Sequence, residues 1–222
     1  MSLFAYPYEM AAHLIVSGED AADFLQSQFS NDLRPYSVGQ CTYGLWLDVR
    51  GKIVADSWIL CEGGERFRIF SENCAGDAIK EKLESHIIAD DVELEPGGPV
   101  PGLALVGNDS DAAAGKSDGV WLDFPGRRSL LPSREILFDD GSFRGSWLEA
   151  KACQIVSKKW IQNERMKCGI PAVGGEALPG DLPGEVGLVG DAVSLKKGCF
   201  LGQEVVARMF NVGRPQRGLY VL

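Results

Sequence analysis

The chain has 222 residues, of which 45% are apolar and 24% are charged, and its formal net charge is −9. These values are typical of a globular protein with a sizeable core, and the acidic balance argues against a general binder of nucleic-acid backbones. Residues 1–24 contain no basic segment, and no stretch approaches the ~18 apolar residues that a membrane span requires. We therefore expect a cytoplasmic protein that directly contacts neither a membrane nor nucleic acid.

The six cysteines are scattered along the chain without a CxxC pair, and the histidines are His13 and His86. Zinc sites and iron–sulfur clusters held by one chain draw on closely spaced sets of these ligands. We therefore predict no metal site, and we expect reduced thiols, as in a cytosolic protein.

The first half of the chain predicts a strand, a helix, a meander and a second helix. Residues 13–18 are typical of a short strand, and residues 18–33 follow with apolar side chains near helical spacing. Residues 40–63 alternate around a tight turn and residues 65–71 add a third strand, which predicts an antiparallel meander. Residues 72–87 carry one apolar stripe and predict an amphipathic helix.

Between residues 90 and 145 a strand–turn pattern recurs. Its strand segments are DVELEP, GLALVG, GVWLDF, RSLLP and REILF. Residues 146–169 predict one long helix, which places Trp147, Ile155 and Ile161 on its core face and ends at a Gly-Ile-Pro sequence.

Residues 170–200 are rich in glycine and proline but contain recurring apolar pairs, which predict an ordered loop packed on the body of the protein. A further helix is predicted to begin at Gly202-Gln203-Glu204. This order of strands and helices indicates an α+β fold with an internal near-duplication.

Tyr43 and Asp56 lie on the two strands of the first hairpin. An aspartate that points inward from a strand is costly to bury unless it meets a hydrogen-bond donor. A heterocycle with amino and ring N–H donors, such as a pterin, would supply those donors and could stack on Tyr43. The alternative is a cross-strand filler beside an exposed aspartate.

Cys199 follows Lys196 and Lys197 and precedes a predicted helix, two features that favour a thiolate. No histidine is close in sequence to act as its general base, so a Cys–His nucleophile has little support. Two interpretations stay open: a small thiol buried in a structural turn, or a redox-sensitive thiol beside a ligand.

Gln203 and Glu204 suit the positive end of the last helix, where a simple capping role competes with ligand binding. Downstream, Arg208, Arg214 and Arg217 form a basic cluster on an acidic protein. These guanidinium groups could hold a carboxylate-bearing ligand bidentately, or they could line a solvated face.

Four segments of the chain resemble the YgfZ/GcvT-like folate-binding family. They are LIVSGEDAADFLQSQFSNDL, CTYGLWLDVRGKIVADSWIL, NERMKCGIPAVGGE and KKGCFLGQEVVAR, and they occur in the family's order over nearly the whole chain. The last segment contains the pattern K-G-C-[FY]-x-G-Q-E, which is the hallmark of the YgfZ branch.

The resemblance implies two intertwined, similar subdomains of antiparallel sheet and helices around a central cavity that holds tetrahydrofolate. Tyr43 and Asp56 match, with the same spacing, a tyrosine and an aspartate of the aminomethyltransferase of glycine cleavage. That transferase also carries R-L-E-A-G, whose glutamate holds the pterin. Here the sequence runs from Arg165 to Gly169 with Lys167 in place of the glutamate, and an ammonium group cannot accept a hydrogen bond.

The resemblance also implies where the remaining site residues lie. Lys197 and Cys199 are expected at the mouth of the folate cavity, with the hairpin pair deeper. The further candidates for binding the cofactor are Arg165, Lys167, Gln203 and Glu204. Asp56 and Cys199 are the candidates for a catalytic role.

Residues 1–213 are assigned to the folate-binding domain and residues 214–222 to a stub. Family members usually continue into a C-terminal β-barrel domain, and because this chain ends at Leu222 we expect that barrel to be absent.

The function implied by the resemblance is that of a folate-binding helper, which is not a classical enzyme. It would support iron–sulfur cluster assembly or repair and iron–sulfur-dependent tRNA modification, with reduced folate and iron–sulfur proteins as partners. Two alternatives are a one-carbon (aminomethyl) transferase acting on a folate adduct with help from Asp56, and an interaction module without a cofactor.

Overall fold

The computed structural model describes residues 3–63, 65–113, 119–127, 131–151, 153–211, 213 and 217–219. In chain order the elements are β1 (Phe4–Glu9), β2 (Ala12–Ser17), α1 (Ala21–Gln28), β3 (Cys41–Leu47), β4 (Ile53–Gly63), β5 (Arg66–Ser71), α2 (Gly76–Glu84), β6 (Glu93–Pro96), β7 (Pro101–Val106), α3 (Ser110–Ala113), β8 (Val120–Pro125), β9 (Ser133–Phe138), α4 (Gly141–Ala150), β10 (Gln154–Ile155), α5 (Lys158–Lys167), α6 (Val189–Ala192) and α7 (Gln203–Asn211). No helix within these ranges is long and apolar enough to cross a membrane.

The chain forms two compact units, and each unit combines separate stretches of sequence. Unit 1 contains the described residues of Met1–Met10 and Gly98–Ile170, and unit 2 contains those of Ala11–Gly97 and Pro171–Tyr220. Each unit has one five-stranded sheet with helices. The predicted α+β class is therefore confirmed, and the chain passes between the units as an intertwined fold requires. The predicted boundary at residue 214 lies outside the described residues.

The sheet of unit 1 has the strand order β10-β1-β7-β9-β8, with β10 parallel to β1 and the other neighbours antiparallel. Its central strand β7 is buried along its whole length, which explains the continuous apolar run of that segment. On this sheet, the hydroxyl of Tyr8 in β1 donates a hydrogen bond to Glu135 Oε2 in β9 at 2.7 Å, and both residues are buried. Part of the predicted strand RSLLP, residues 128–130, lies outside the described residues.

The prediction of a single long helix over residues 146–169 is wrong. Helix α4 ends where Lys151 becomes extended, and Gln154 and Ile155 pair in parallel with β1 before Ser157 caps α5. Ile155 is therefore 61% exposed on an edge strand, whereas Trp147 and Ile161 are buried as predicted. The apolar spacing continued through the break, so the helical period alone did not reveal it.

The sheet of unit 2 is antiparallel throughout, in the order β3-β4-β5-β2-β6, and this confirms the predicted meander β3-β4-β5. Helices α1 and α2 cover part of this sheet, and buried side chains of both helices share one core with it. A second apolar cluster joins β3 and β4 to the segment between Val173 and Val206. The glycine-rich loop is thus packed on unit 2, as predicted, and it contains the short helix α6.

Candidate functional site

Tyr43 and Asp56 meet on one face of the β3–β4 hairpin in unit 2. Tyr43 is paired with Trp58, and Asp56 is paired with Leu45, so the two are diagonal neighbours across the strands. The Tyr43 hydroxyl donates a hydrogen bond to Asp56 Oδ2 at 2.8 Å. Tyr43 is only 7% exposed and Asp56 only 8%. The hairpin therefore holds a buried carboxylate whose position is fixed by a phenol.

Two residues from the end of the meander also donate to Asp56. The Ser71 hydroxyl, at the end of β5, and the Cys74 thiol, in the loop before α2, both donate to Asp56 Oδ1 at 3.2 Å. The Cys74 backbone N–H in turn donates to Ser71 Oγ at 3.1 Å. We call Tyr43, Asp56, Ser71 and Cys74 the carboxylate cluster.

The charge state of Cys74 is consistent with its role as a donor. Burial, and then the negative charge of Asp56, raise the pKa of the Cys74 thiol to about 12. The thiol therefore keeps its proton at neutral pH and can donate it to the carboxylate. An ionised carboxylate surrounded by donors can accept hydrogen bonds from a ligand's N–H groups, stabilise a cation or take up a proton.

Residues 196–201, which we call the KGC segment, divide into buried and exposed side chains. Lys197 is 4% exposed and Phe200 is 6% exposed, whereas Cys199 is exposed. The Lys197 ammonium donates to the backbone oxygens of Gln26 at 2.6 Å, Phe29 at 2.6 Å and Asn31 at 2.8 Å. Because each N–H has an acceptor, any contact of Lys197 with an anionic ligand would require one of these bonds to open.

Burial lowers the pKa of Lys197 to about 8, and the nearby Asp32 carboxylate opposes that shift. The ammonium also lies 5.3 Å from the centre of the Phe200 ring, within range of a cation–π interaction. The lysine of the KGC motif is thus held inside the protein, and the cysteine two residues later faces solvent.

The turn of the first hairpin packs closely on the start of α7. Gly51 and Gly202 both have positive φ, at 71° and 81°. A Cβ atom on Gly202 would lie 2.6 Å from Asp48 O and 2.8 Å from Gly51 Cα, so this approach requires glycine. The two segments that carry the family resemblance most strongly are therefore neighbours in unit 2. Gln203 and Glu204 begin α7 there, half-buried and exposed respectively.

Two further candidate residues belong to the other unit. Arg165 and Lys167 belong to unit 1, where Arg165 is buried and donates to Ile170 O at 2.8 Å. The Lys167 side chain is 75% exposed and lies 3.9 Å from Glu164. Whether these residues contribute to a ligand site stays a prediction.

Two arginines of the predicted basic cluster, Arg208 and Arg217, lie within the described residues. Arg208 is exposed on α7, and Arg217 is 3.4 Å from Glu185 and 75% exposed. Arg214 lies outside the described residues. The described arginines thus have the exposure of a solvated face.

A cleft of about 220 Å³ lies between the loop around Pro183 and helix α7. Its walls are mostly apolar, and Val189 and Val206 in its lining also belong to the apolar cluster that contains Tyr43. Within the described ranges, no three His, Cys, Asp or Glu side chains are grouped to hold a metal ion.

Sequence reasoning missed Ser71 and Cys74 as partners of Asp56, and it missed the internal bonds of Lys197. Ser71 ends a strand that was correctly predicted, but its hydroxyl gave no signal of its own. Cys74 was one of six scattered thiols, and only the fold brings it to the carboxylate.

The comparisons with known proteins agree with this architecture. Residues 8–117 match the GCVT N-terminal domain family. The glycine cleavage system aminomethyltransferase T from Bartonella henselae superposes with a TM-score of 0.74 at 18% identity, covering 96% of this chain and 64% of that one. At this identity, the similarity establishes the fold alone.

Curated relatives align over most of the chain. The tRNA-modifying protein YgfZ of Edwardsiella ictaluri is 28% identical, over 93% of this chain and 67% of the relative. The protein of the same name from Hamiltonella defensa is 24% identical, over 93% of this chain and 66% of the relative. The chain thus spans about two thirds of the length of these relatives.

Proposed function

The chain belongs to the YgfZ/GcvT-like family, and from this premise we propose that it is a folate-binding protein of the YgfZ type. Its role would be to support iron–sulfur cluster assembly or repair in the cytosol, and through it the tRNA modification that depends on iron–sulfur enzymes. The observation that carries the proposal is the buried Asp56 carboxylate, held by Tyr43 on the hairpin within the matched domain.

The carboxylate cluster suits the reduced pterin of tetrahydrofolate. A pterin presents amino and ring N–H donors, and a carboxylate has about four lone-pair sites. Because Tyr43, Ser71 and Cys74 already donate to Asp56, a pterin N–H would share the carboxylate with these donors or displace one of them. The rings of Tyr43 and Trp58, with centroids 5.2 Å apart and planes inclined at 55°, add aromatic side chains on the same hairpin against which a pterin ring could pack. We assign Asp56 to the recognition of the pterin donors and Tyr43 to its orientation.

Calorimetric titration with 5-formyltetrahydrofolate tests the binding half of the proposal. We expect saturable binding by the unaltered chain and a large loss in Asp56→Asn, because the amide removes the negative charge and one acceptor. Asp77→Asn, on the exposed start of α2, is the matched control and should bind normally. Absence of binding to the unaltered chain at millimolar ligand would reject this half.

Complementation tests the other half. In a strain that lacks the gene, we expect reduced methylthiolation of tRNA, measured by mass spectrometry of nucleosides. The unaltered gene should restore the modification and Asp56→Asn should not. Normal methylthiolation in the deletion strain would contradict the proposed role in iron–sulfur-dependent modification.

The alternative function is a folate-dependent one-carbon transfer, favoured by the aminomethyltransferase-like fold and by a buried carboxylate that could stabilise a developing cation. Tetrahydrofolate, when bound, would carry the one-carbon unit, and Asp56 would hold or move the proton. Lys167, in place of a glutamate that holds the pterin in the transferase pattern, argues against it. Turnover of a methylene-tetrahydrofolate adduct that disappears in Asp56→Asn would favour the transferase.

A further inference from the structure

The C-terminal end of helix α1 is capped by a distant part of the chain. The last four carbonyl groups of an α-helix have no partner within the helix. Here the Gln26 oxygen accepts from the Lys197 ammonium, and the Ser27 oxygen accepts from the Leu201 backbone N–H at 2.9 Å. The KGC segment therefore supplies the cap that α1 does not make for itself, and a cation is favoured at this negative end of the helix.

The bonds of Lys197 reach beyond the helix. An ammonium group has three N–H donors, and those of Lys197 match the three oxygens of Gln26, Phe29 and Asn31. A 4% exposed charge is tolerated because it is saturated in this way. The lysine thus fixes the backbone of residues 26–31 as a unit.

Residues 30 and 31 connect this unit to the strand that carries Tyr43. The Asn31 side-chain amide donates to Tyr43 O at 2.8 Å and to Asp191 O at 3.3 Å. The Ser30 hydroxyl accepts from the Leu45 N–H at 2.8 Å, on the same strand. A continuous set of hydrogen bonds therefore runs from the KGC segment to the candidate site.

We propose that Lys197 is a positioning residue, whose ammonium group locks residues 26–31 and, through Asn31, sets the place of Tyr43 beside Asp56. It acts without touching the ligand, in place of the direct contact with anionic groups expected from the sequence. This inference rests on the proposed folate binding, since its effect is read at the folate site.

Two ligands separate positioning from direct contact. One is 5-formyltetrahydrofolate, and the other is its diamide, in which both glutamate carboxylates are neutral. If Lys197 positions the site, Lys197→Met weakens binding of both ligands by the same factor, about tenfold. Loss of affinity for the acid alone, or for neither ligand, would overturn the proposal. Lys196→Met, at the exposed neighbouring lysine, is the matched control and should leave both affinities unchanged.

Hydrogen exchange provides a readout that does not depend on the ligand. In Lys197→Met the backbone amides of Leu45 and Leu201 should exchange faster, because their acceptors lie in the segment that Lys197 locks. Unchanged exchange at both amides would overturn the lock. If the unaltered chain bound neither ligand, the proposed function would fail, and the exchange result would still decide whether the lock exists.

Asn31→Ala covers the case in which Lys197→Met does not fold. This change leaves the ammonium in place and removes the bonds from the Asn31 amide to Tyr43 and Asp191, together with the bond that Asn31 Oδ1 accepts from the Asp32 backbone N–H at 2.9 Å. Asn31→Ala should weaken the binding of both ligands by the same factor. Where Lys197→Met does fold, the loss in Asn31→Ala should be the smaller one, and the two effects should not add in the double variant. Normal binding by Asn31→Ala would break the path from the lysine to the site.

Discussion

Two buried tyrosine–carboxylate pairs, one in each unit, invite a direct comparison. Tyr8 and Glu135 lie 2.7 Å apart in unit 1, and Tyr43 and Asp56 lie 2.8 Å apart in unit 2. Each pair buries a phenol and a carboxylate on a five-stranded sheet, so the chemistry of the pair alone does not distinguish a ligand site from a structural bond.

The surroundings of the two pairs differ. The Tyr8 ring covers Gly102 of the central strand so closely that a Cβ on Gly102 would lie 2.5 Å from it. Tyr43 instead stands beside Trp58, on a strand tied through Asn31 to the KGC segment. We infer that the unit 1 pair serves packing, whereas the unit 2 pair is the one that a ligand uses.

Removing each carboxylate's charge is the strongest test of this contrast. Asp56→Asn should lower the affinity for 5-formyltetrahydrofolate by about 10- to 100-fold, because a hydrogen bond to a charged group contributes about 1.5–3 kcal/mol. Glu135→Gln should leave that affinity unchanged and lower only the melting temperature. Titration calorimetry and thermal unfolding measure the two effects, and an equal loss of affinity in both variants would erase the distinction between the pairs.

Unit 2 also buries positive charge, on the lysines Lys82 and Lys197. Burial lowers the pKa of Lys82 from 10.5 to about 8, and the Asp48 charge opposes that shift; its ammonium donates to Gln28 Oε1 at 2.9 Å. Below pH 8 both folded and unfolded chains hold the proton, and the cost of the buried charge is fully present. Between about pH 8 and 10.5 the unfolded chain binds more protons, so the free energy of unfolding rises with pH.

Comparing the unaltered chain with Lys82→Met isolates this contribution from other alkaline groups. The stability difference between the two should shift in favour of the unaltered chain by on the order of 3 kcal/mol across that window, since one pKa unit corresponds to about 1.4 kcal/mol. Urea denaturation at a series of pH values measures it. A difference that stays constant with pH would show that Lys82 keeps an ordinary pKa.

Two glycines allow a matched test of packing around the pairs. A Cβ on Gly44 would lie 2.7 Å from the Phe29 ring, much as one on Gly102 would meet Tyr8. Gly44→Ala and Gly102→Ala should each lower the free energy of unfolding by about 1–3 kcal/mol through overpacking. Only Gly44→Ala should also lower the affinity for folate. The added methyl group would displace Phe29, whose backbone carbonyl accepts a hydrogen bond from Lys197.

Urea denaturation and calorimetry on both glycine variants would show the difference. If Gly102→Ala lowered the affinity for folate as much as Gly44→Ala does, the Tyr8–Glu135 pair of unit 1 would also affect folate binding.

The sequence predicted the hairpin of unit 2 because its determinants are local. Alternating apolar residues flank a turn with a required glycine, and these local features placed Tyr43 and Asp56 on the two strands of the hairpin, where the pairing brings them to one face. The helix break near Lys151 was missed because what causes it is not local. Gln154 leaves the helical path to pair with β1, a strand about 150 residues earlier.

The role of Lys197 was beyond sequence reasoning for the same physical reason. Two lysines beside a cysteine indicate a positive local field, and nothing in their spacing tells which one turns inward. That choice depends on the unpaired carbonyls at the end of α1, some 170 residues away in sequence. Cys74 is a similar case, since its thiol meets Asp56 only after the meander has formed.

Cys74→Ser gives the smallest expected effect and sharpens the comparison at the level of single donors. A serine hydroxyl can replace the thiol as a donor to Asp56, so the free energy of unfolding should change by less than about 1 kcal/mol. Cys153→Ser is the matched control, because it makes the same substitution at a half-buried thiol of unit 1 whose pKa is also raised by burial.

The reactivity of the thiol tells more than its contribution to stability. Because the pKa of Cys74 is about 12, alkylation at pH 8 should be much slower there than at the exposed Cys199. In Asp56→Asn the neighbouring negative charge is gone, so Cys74 should be alkylated faster, whereas Glu135→Gln should leave its rate unchanged. Peptide mass spectrometry after iodoacetamide treatment measures each rate. An unchanged rate in Asp56→Asn would mean that burial alone protects the thiol, and the carboxylate cluster would then lose its electrostatic link between Asp56 and Cys74.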